Sequence, residues 1–297
     1  MPDEGSDWSS PEEVASLLLR QDYIADPSLA MAVYLSGRLG KPLLIEGEPG
    51  CGKTEVAKAL AGATGGELLR LQCFEGLDAR SALYDWDYPR QLLAIRMHER
   101  SESPAQLEKE VFSERFLLRR PLLRALDGNG TLRPVLLIDE VDRADEEFEG
   151  LLLEVLSDFQ VTIPELGTIR ARRIPFVIIT SNRTRDLSDA LKRRCLYAYV
   201  EYPDPAKEVA ILERRIPELG ARFAREIAEF VQRVRQEPEL AKRPGVAETL
   251  DWAAALLALR RTSLDAATIS ATLGFLVKDA QDLQYLRTKT LAPASDG

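Results

Sequence analysis

The first two thirds of the chain predict an α/β fold, and the last third predicts an all-helical unit. Three observations lead there. The stretch LLIEGEPGCGKTEVAKALAGATGG, residues 43–66, reads as a short apolar strand, a glycine-rich turn and a helix. Two more apolar runs, Val135–Ile138 and Pro175–Ile179, lack alternation and end in polar side chains. Strands buried on both faces of a parallel sheet look like this where they reach a ligand crevice. Beyond residue 204 the apolar spacing is helical, over about 205–216, 221–236, 246–261 and 265–287, with little strand signal.

The bulk composition narrows the function classes. The chain has 297 residues, 45% hydrophobic and 29% charged, an ordinary globular balance for one large domain or two smaller ones. Its net charge of −9 speaks against general nucleic-acid binding. Only the RARR run at 170–173 and the arginines at 119–120 offer basic patches. Cys51, Cys73 and Cys195 form no CxxC pair, and His98 is the single histidine, so a zinc knuckle or multi-histidine metal site is not expected. No apolar run approaches the roughly 18 residues of a membrane span. The acidic, polar N-terminus MPDEGSDWSSPEE does not fit a secretory signal, and a cytoplasmic location is expected.

The elements follow in order. A helical stretch begins near Ser28. GEPGCGKT then fits G-x-x-x-x-G-K-[ST] through Gly47, Gly52, Lys53 and Thr54, between the strand and the helix that the motif requires. Glycines let backbone N–H groups close on phosphate oxygens, and the helix N-terminus adds a favourable dipole. Lys53 is expected to reach the β- and γ-phosphates, and the Thr54 hydroxyl to ligate Mg²⁺. Gly47, Glu48, Pro49, Gly50, Cys51 and Gly52 form the phosphate loop, in which Cys51 reads as a small filler. Gly65 and Gly66 stop the helix.

Between the second and third sheet strands, Tyr84, Trp86 and Tyr88 alternate with Asp85 and Asp87. They suit either recognition of another protein or anchoring of the segment to its own domain. PAQLEKEVF reads as an amphipathic packing helix. The run PVLLIDEVDRADEE ends its strand in Asp139 and Glu140, which point to different sides. Asp139 is expected in the metal shell, and Glu140 is expected to orient an attacking water as general base. Phe148, Leu151, Leu152, Val155 and Leu156 have helix spacing, and QVTIPELGTIRARR reads as a hairpin. The third run ends in Thr180-Ser181-Asn182, where Asn182 is either a contact to the γ-phosphate or lytic water or a plain turn residue. ALKRRC then sets Lys192, Arg193 and Arg194 side by side, as a solvated loop or as charge for a ligand elsewhere.

Taken together, these segments resemble an AAA+ ATPase: GEPGCGKT matches Walker A, LLIDEVD Walker B and TSN sensor 1. Within that superfamily the chain resembles the MoxR group and its CoxD-like members. That likeness rests on LQCFEGLDARSALYDWDYPRQLL (71–93), LLIDEVDRADEEFEGLLLEVLSDFQVTIPELGTIRA (136–171) and TSNRTRDLSDALKRRCLYAYVEYPDP (180–205), within a resemblance covering about 20–260.

The resemblance implies a P-loop AAA+ core, a parallel five-stranded sheet of order 5-1-4-3-2 between helices, followed by a small all-α lid. The core is placed at 1–203, with an adenine-pocket segment at its start and an insert after its second strand. The lid is placed at 204–290, and 291–297, LAPASDG, is expected to be a disordered tail. Tyr23 and Ile24 stand where the superfamily holds adenine, though core packing serves them equally. The insert is expected on the ring's axial side, and the hairpin matches one that precedes sensor 1 in MoxR-type proteins. ATP and Mg²⁺ are the implied ligands. The active site is implied to lie between subunits of a homo-oligomeric ring, usually a hexamer, with Arg194 as the finger reaching the neighbour's phosphates. Arg193 is implied as a second finger or an interface contact. The position of the usual sensor 2 arginine carries Glu248, with Arg243 close enough to substitute.

The implied function is ATP hydrolysis that drives a remodelling or maturation step, with a von Willebrand factor A-domain partner. The implied client is a metalloenzyme such as molybdenum/copper carbon monoxide dehydrogenase. A nucleotide switch with slow turnover, a nucleic-acid loader and a small-molecule kinase are the alternatives. Acidity opposes the loader, and the hairpin and lid oppose the kinase.

Overall fold

The computed structural model describes residues 8–98, 103–128, 130 and 132–291. The expected tail at 291–297 lies outside the described residues except for Leu291. The described residues contain nine strands: β1 (Leu43–Gly47), β2 (Leu68–Gln72), β3 (Tyr84–Trp86), β4 (Leu117–Arg119), β5 (Val135–Asp139), β6 (Gln160–Ile163), β7 (Gly167–Arg170), β8 (Phe176–Ser181) and β9 (Leu196–Val200). Five of them form one sheet in the order β2-β5-β8-β1-β9. Counted without the two small ribbons, β3–β4 and β6–β7, the five run 2-3-4-1-5, which read from the other edge is the expected 5-1-4-3-2.

Every residue of β1, β5 and β8 is buried, which is why their sequences are apolar without alternation. β2 at the sheet edge alternates instead, with Leu69 and Leu71 inward and Arg70 and Gln72 exposed. The parallel registers pair Gln72 with Asp139, Ile138 with Ile179 and Glu46 with Ser181. The polar residues that end these strands therefore meet along one rim, and the fold positions its site there.

The hairpin is present as the antiparallel pair β6–β7. Helix Glu146–Asp158 buries Phe148, Leu152, Val155 and Leu156, as its spacing predicts, with Asp145 capping Phe148 N. In the insert, β3 pairs with β4. Trp86 is buried, edge-on to Phe112 at 5.4 Å and to Tyr84 at 6.3 Å, and so anchors the segment. Tyr88 is exposed.

The chain divides into two compact units, the first built from 1–21, 25–46 and 54–199, the second from 22–24, 47–53 and 200–297. The second unit carries helices Pro205–Arg215, Ala221–Arg235, Val246–Ala258, Ala266–Leu276 and Ala280–Leu291. Their core gathers around Trp252, Phe223, Ile227, Val231 and Leu273. The single helix expected over 265–287 is two. Asp279 accepts hydrogen bonds from Gln281 N and Asp282 N and starts a new helix there.

Candidate functional site

At the rim of the first unit, Asp139 and Thr54, the two residues expected to hold a metal, are in contact. Thr54 Oγ1 donates to Asp139 Oδ1 at 3.0 Å. Thr180 Oγ1 donates to the same oxygen at 2.6 Å and accepts from Glu140 N at 2.9 Å. Glu140 adopts a left-handed backbone conformation, φ +55°. That conformation costs a residue with a side chain roughly 1 kcal/mol. The Thr180 contact and the Arg143 N to Glu140 O bond hold it. The Glu140 carboxylate accepts from Asn182 Nδ2 at 3.3 Å on one oxygen. On the other it accepts from Gln72 Nε2 at 3.1 Å and Arg143 Nη1 at 3.3 Å.

Asn182 is placed in turn by Asp142, which accepts Asn182 N, Thr184 N and the Thr184 hydroxyl. Burial alone would raise the Asp142 carboxyl, but these hydrogen bonds outweigh it and hold it below the usual range. Thr180, Asp142, Arg70 and Gln72 were not singled out by sequence reasoning. The available signal was the pair of polar residues two apart on β2, which share one face.

The phosphate loop, within the second unit, has the backbone its glycines permit: φ is +77° at Gly50 and +95° at Gly52. A Cβ at Gly50 would lie 2.9 Å from Gly245 Cα, and Val246 N donates to Gly50 O at 2.8 Å. The loop thus rests against the start of helix Val246–Ala258. Tyr202 adds a hydroxyl hydrogen bond to Pro49 O at 3.0 Å. Lys53 is buried and donates to Gly47 O and Glu48 O, each at 2.8 Å. Burial of the Cys51 thiol raises its pKa, against the pull of the Lys53 charge. Tyr23 lies about van der Waals distance from Gly52, a side-chain carbon 3.9 Å from where its Cβ would be.

The cationic run is not a loop. Lys192, Arg193 and Arg194 form the last turn of helix Asp189–Arg194, capped by Ser188, where positive side chains complement the helix dipole. Arg194 donates to Ser157 Oγ at 2.8 Å and to Ala190 O at 3.1 Å; Arg193 is exposed. Glu248 caps its own helix through Gly245 N at 3.1 Å. Arg243 is exposed, with its charge felt at Tyr202.

These donors fit a magnesium nucleotide. Among the described residues no cluster of three or more His, Cys, Asp or Glu side chains is set to hold a metal alone. One hydroxyl and one carboxylate in contact suit an ion that takes its other ligands from water and phosphate. Among the same residues no helix is long and apolar enough to cross a membrane.

A parallel sheet with a glycine loop after its first strand, and a carboxylate pair ending the strand two places away, defines a P-loop nucleotide-binding protein. Residues 42–195, more than half the chain, match the AAA domain (dynein-related subfamily), and the chain belongs to that family of nucleotide-dependent ATPases. It is also similar to the mitochondrial Lon protease homolog of Phaeodactylum tricornutum (strain CCAP 1055/1), 34% identical over 125 residues, which is 41% of this chain and 11% of the relative. Lon protease 3 of Sorangium cellulosum (strain So ce56) is 34% identical over 125 residues, 41% of this chain and 12% of the relative. The chain thus spans only a small part of the length of these relatives.

Proposed function

We propose that the protein hydrolyses ATP and uses the cycle to remodel another protein. The observation that carries the hydrolytic reading is the Glu140–Asn182 contact, 3.3 Å, beside the Asp139–Thr54 contact, 3.0 Å. In this reading the backbone amides of 47–53 and Lys53 bind phosphate, with Lys53 exchanging its loop carbonyls for phosphate oxygens. Thr54 and Asp139 hold the metal. Bound magnesium neutralises charge on the phosphates. Glu140 takes a proton from the attacking water, and Asn182 and Gln72 fix its two oxygens so that one lone pair faces that water. Glu140→Gln is expected to cut turnover by about 10² to 10⁴. Nucleotide binding, followed by fluorescence of a labelled ATP, stays intact.

A homo-oligomeric ring, probed by sedimentation, with Arg194 or Arg193 completing the neighbour's site belongs to the same proposal. So do the von Willebrand factor A-domain partner and the CoxD-like metalloenzyme client, which rest on the resemblance of residues 71–93, 136–171 and 180–205, and a cytoplasmic location, which rests on composition and on cysteines that form no CxxC pair. The described cysteines are all free, in keeping with a reducing compartment. The deciding experiment mixes Lys53→Ala with Arg194→Ala protein. Turnover in the mixture, absent from either variant alone, is expected if sites are shared. Normal turnover by Arg194→Ala alone overturns the finger. A nucleotide switch with slow turnover is the second reading. It is favoured by the resting contacts of Lys53 and Asp139, both satisfied within the chain, and negligible wild-type turnover would select it.

A further inference from the structure

The Asp139 carboxylate carries a cation that the proposed reaction does not use. Arg70 stands on β2, one strand over, on the side away from the core that Leu69 and Leu71 enter. Its Nη2 and Nε donate to Asp139 Oδ2 at 2.6 and 3.1 Å, and Nη2 also donates to Gln72 Oε1 at 2.7 Å. The other oxygen, Oδ1, accepts from Thr54 and Thr180. An ionised carboxylate offers about four lone-pair positions. Four donors therefore leave Asp139 with nothing to offer a metal ion or its water shell. Thr54 and Thr180 can rotate their hydroxyl protons away without moving. Arg70 has to leave, and it can: its side chain is 50% exposed against 4% for Asp139, and Gln72 gives it a second partner beside the first.

We propose that Arg70 is a resident counter-ion of Asp139, displaced when a divalent cation binds with nucleotide, and that it sets the Mg²⁺ concentration the site requires. The proposal rests on the reading of Asp139 as the metal-facing carboxylate. It has two consequences of opposite sign. Without Arg70, magnesium meets a vacant carboxylate and binds more readily. Nucleotide without metal meets an uncompensated negative charge and binds less well.

The test is binding of N-methylanthraniloyl-ATP to the full chain, in EDTA and then through a MgCl₂ titration. The proteins are wild type, Arg70→Met, Arg70→Lys, Asp139→Asn and the Arg70→Met/Asp139→Asn double variant. Arg70→Met is expected to lower the Mg²⁺ midpoint about three- to fivefold, the scale of a half-exposed ion pair, and to weaken binding in EDTA. Both shifts shrink at high salt, and Arg70→Lys falls between. In the Asp139→Asn background, replacing Arg70 changes nothing. An unchanged or higher midpoint in Arg70→Met, with Asp139→Asn raising it, overturns the proposal and leaves the metal reading standing. A midpoint indifferent to Asp139→Asn overturns both. If Arg70→Met fails to fold, Arg70→Lys carries the same comparison.

Discussion

Asp139–Arg70 in the first unit and Glu208–Arg235 in the second are the same chemical pair in two surroundings. Each carboxylate accepts four hydrogen bonds. Glu208 takes them from Arg235 Nη1 and Nη2 at 2.7 and 2.8 Å and from Gln232 and Thr249, each at 3.0 Å. The arginines differ. Arg235 is 5% exposed, also donates to Pro244 O at 2.8 Å and lies over the Tyr202 ring at 4.8 Å, so all three of its nitrogens and one face of its guanidinium are engaged. Arg70 is half in water. The Glu208–Arg235 pair ties helices Pro205–Arg215 and Ala221–Arg235 to the turn that leads into helix Val246–Ala258. The Asp139–Arg70 pair is the one a ligand is proposed to take apart, at small cost. Hydrogen-bond count does not separate a structural ion pair from an exchangeable one; the exposure of the cation does.

Removing one partner from each pair gives the largest expected effect. Arg235→Met strands a buried charge on Glu208 and is expected to cost about 3–5 kcal/mol. Arg70→Met leaves Asp139 at a wet rim with its hydroxyl donors in place and is expected to cost less than about 1 kcal/mol. Trp252 is the single tryptophan of the second unit, and Trp8 and Trp86 lie in the first, so denaturant unfolding of a Trp8→Phe/Trp86→Phe background follows the second unit with Arg235→Met, and that of a Trp252→Phe background follows the first with Arg70→Met. Equal losses from the two arginine substitutions would abolish the distinction. Glu208→Met combined with Arg235→Met sharpens it, since removing both charges restores much of the loss.

What the sequence reveals of these two regions differs for a physical reason. Asp139, Glu140, Thr54 and Asn182 are legible because strand ends and a glycine loop impose fixed spacings along the chain, and the structure brings them into contact in the pairs that chemistry demands. Arg70 and Gln72 belong to the same rim, but their relevance depends on β2 lying beside β5, a neighbour relation between segments 67 residues apart. Glu208 and Arg235 are harder still. Each looks like an ordinary charge on an amphipathic helix, and burial comes only when two helices and a turn converge. The break between helices Ala266–Leu276 and Ala280–Leu291 was missed for a local reason: apolar spacing continues across it, and the capping role of Asp279 shows only in the backbone it caps.

The smallest effect concerns Tyr202, which joins the buried pair to the phosphate loop. Its ring lies under Arg235 and its hydroxyl donates to Pro49 O, so Tyr202→Phe keeps the packing and removes one half-exposed hydrogen bond. The expected loss near neutral pH is about 0.5–1 kcal/mol. The pH dependence is more distinctive. Burial, the Glu48 charge and Cys51 push the phenol up, while Arg235 and Arg243 pull the other way, and the balance takes it from 10.0 to about 12. The folded phenol therefore keeps a proton that the unfolded chain releases, so the stability it contributes is whole below pH 10 and is lost as pH rises toward 12. Cys73 and Cys195, raised by burial from 9.0 to about 12, act in an overlapping range from the first unit and are present in both proteins compared. The slope of second-unit stability between pH 10 and 12 is expected to be shallower in Tyr202→Phe than in wild type. Identical slopes would show that the hydroxyl already faces water, and that the loop is held by Gly245 and Val246 alone.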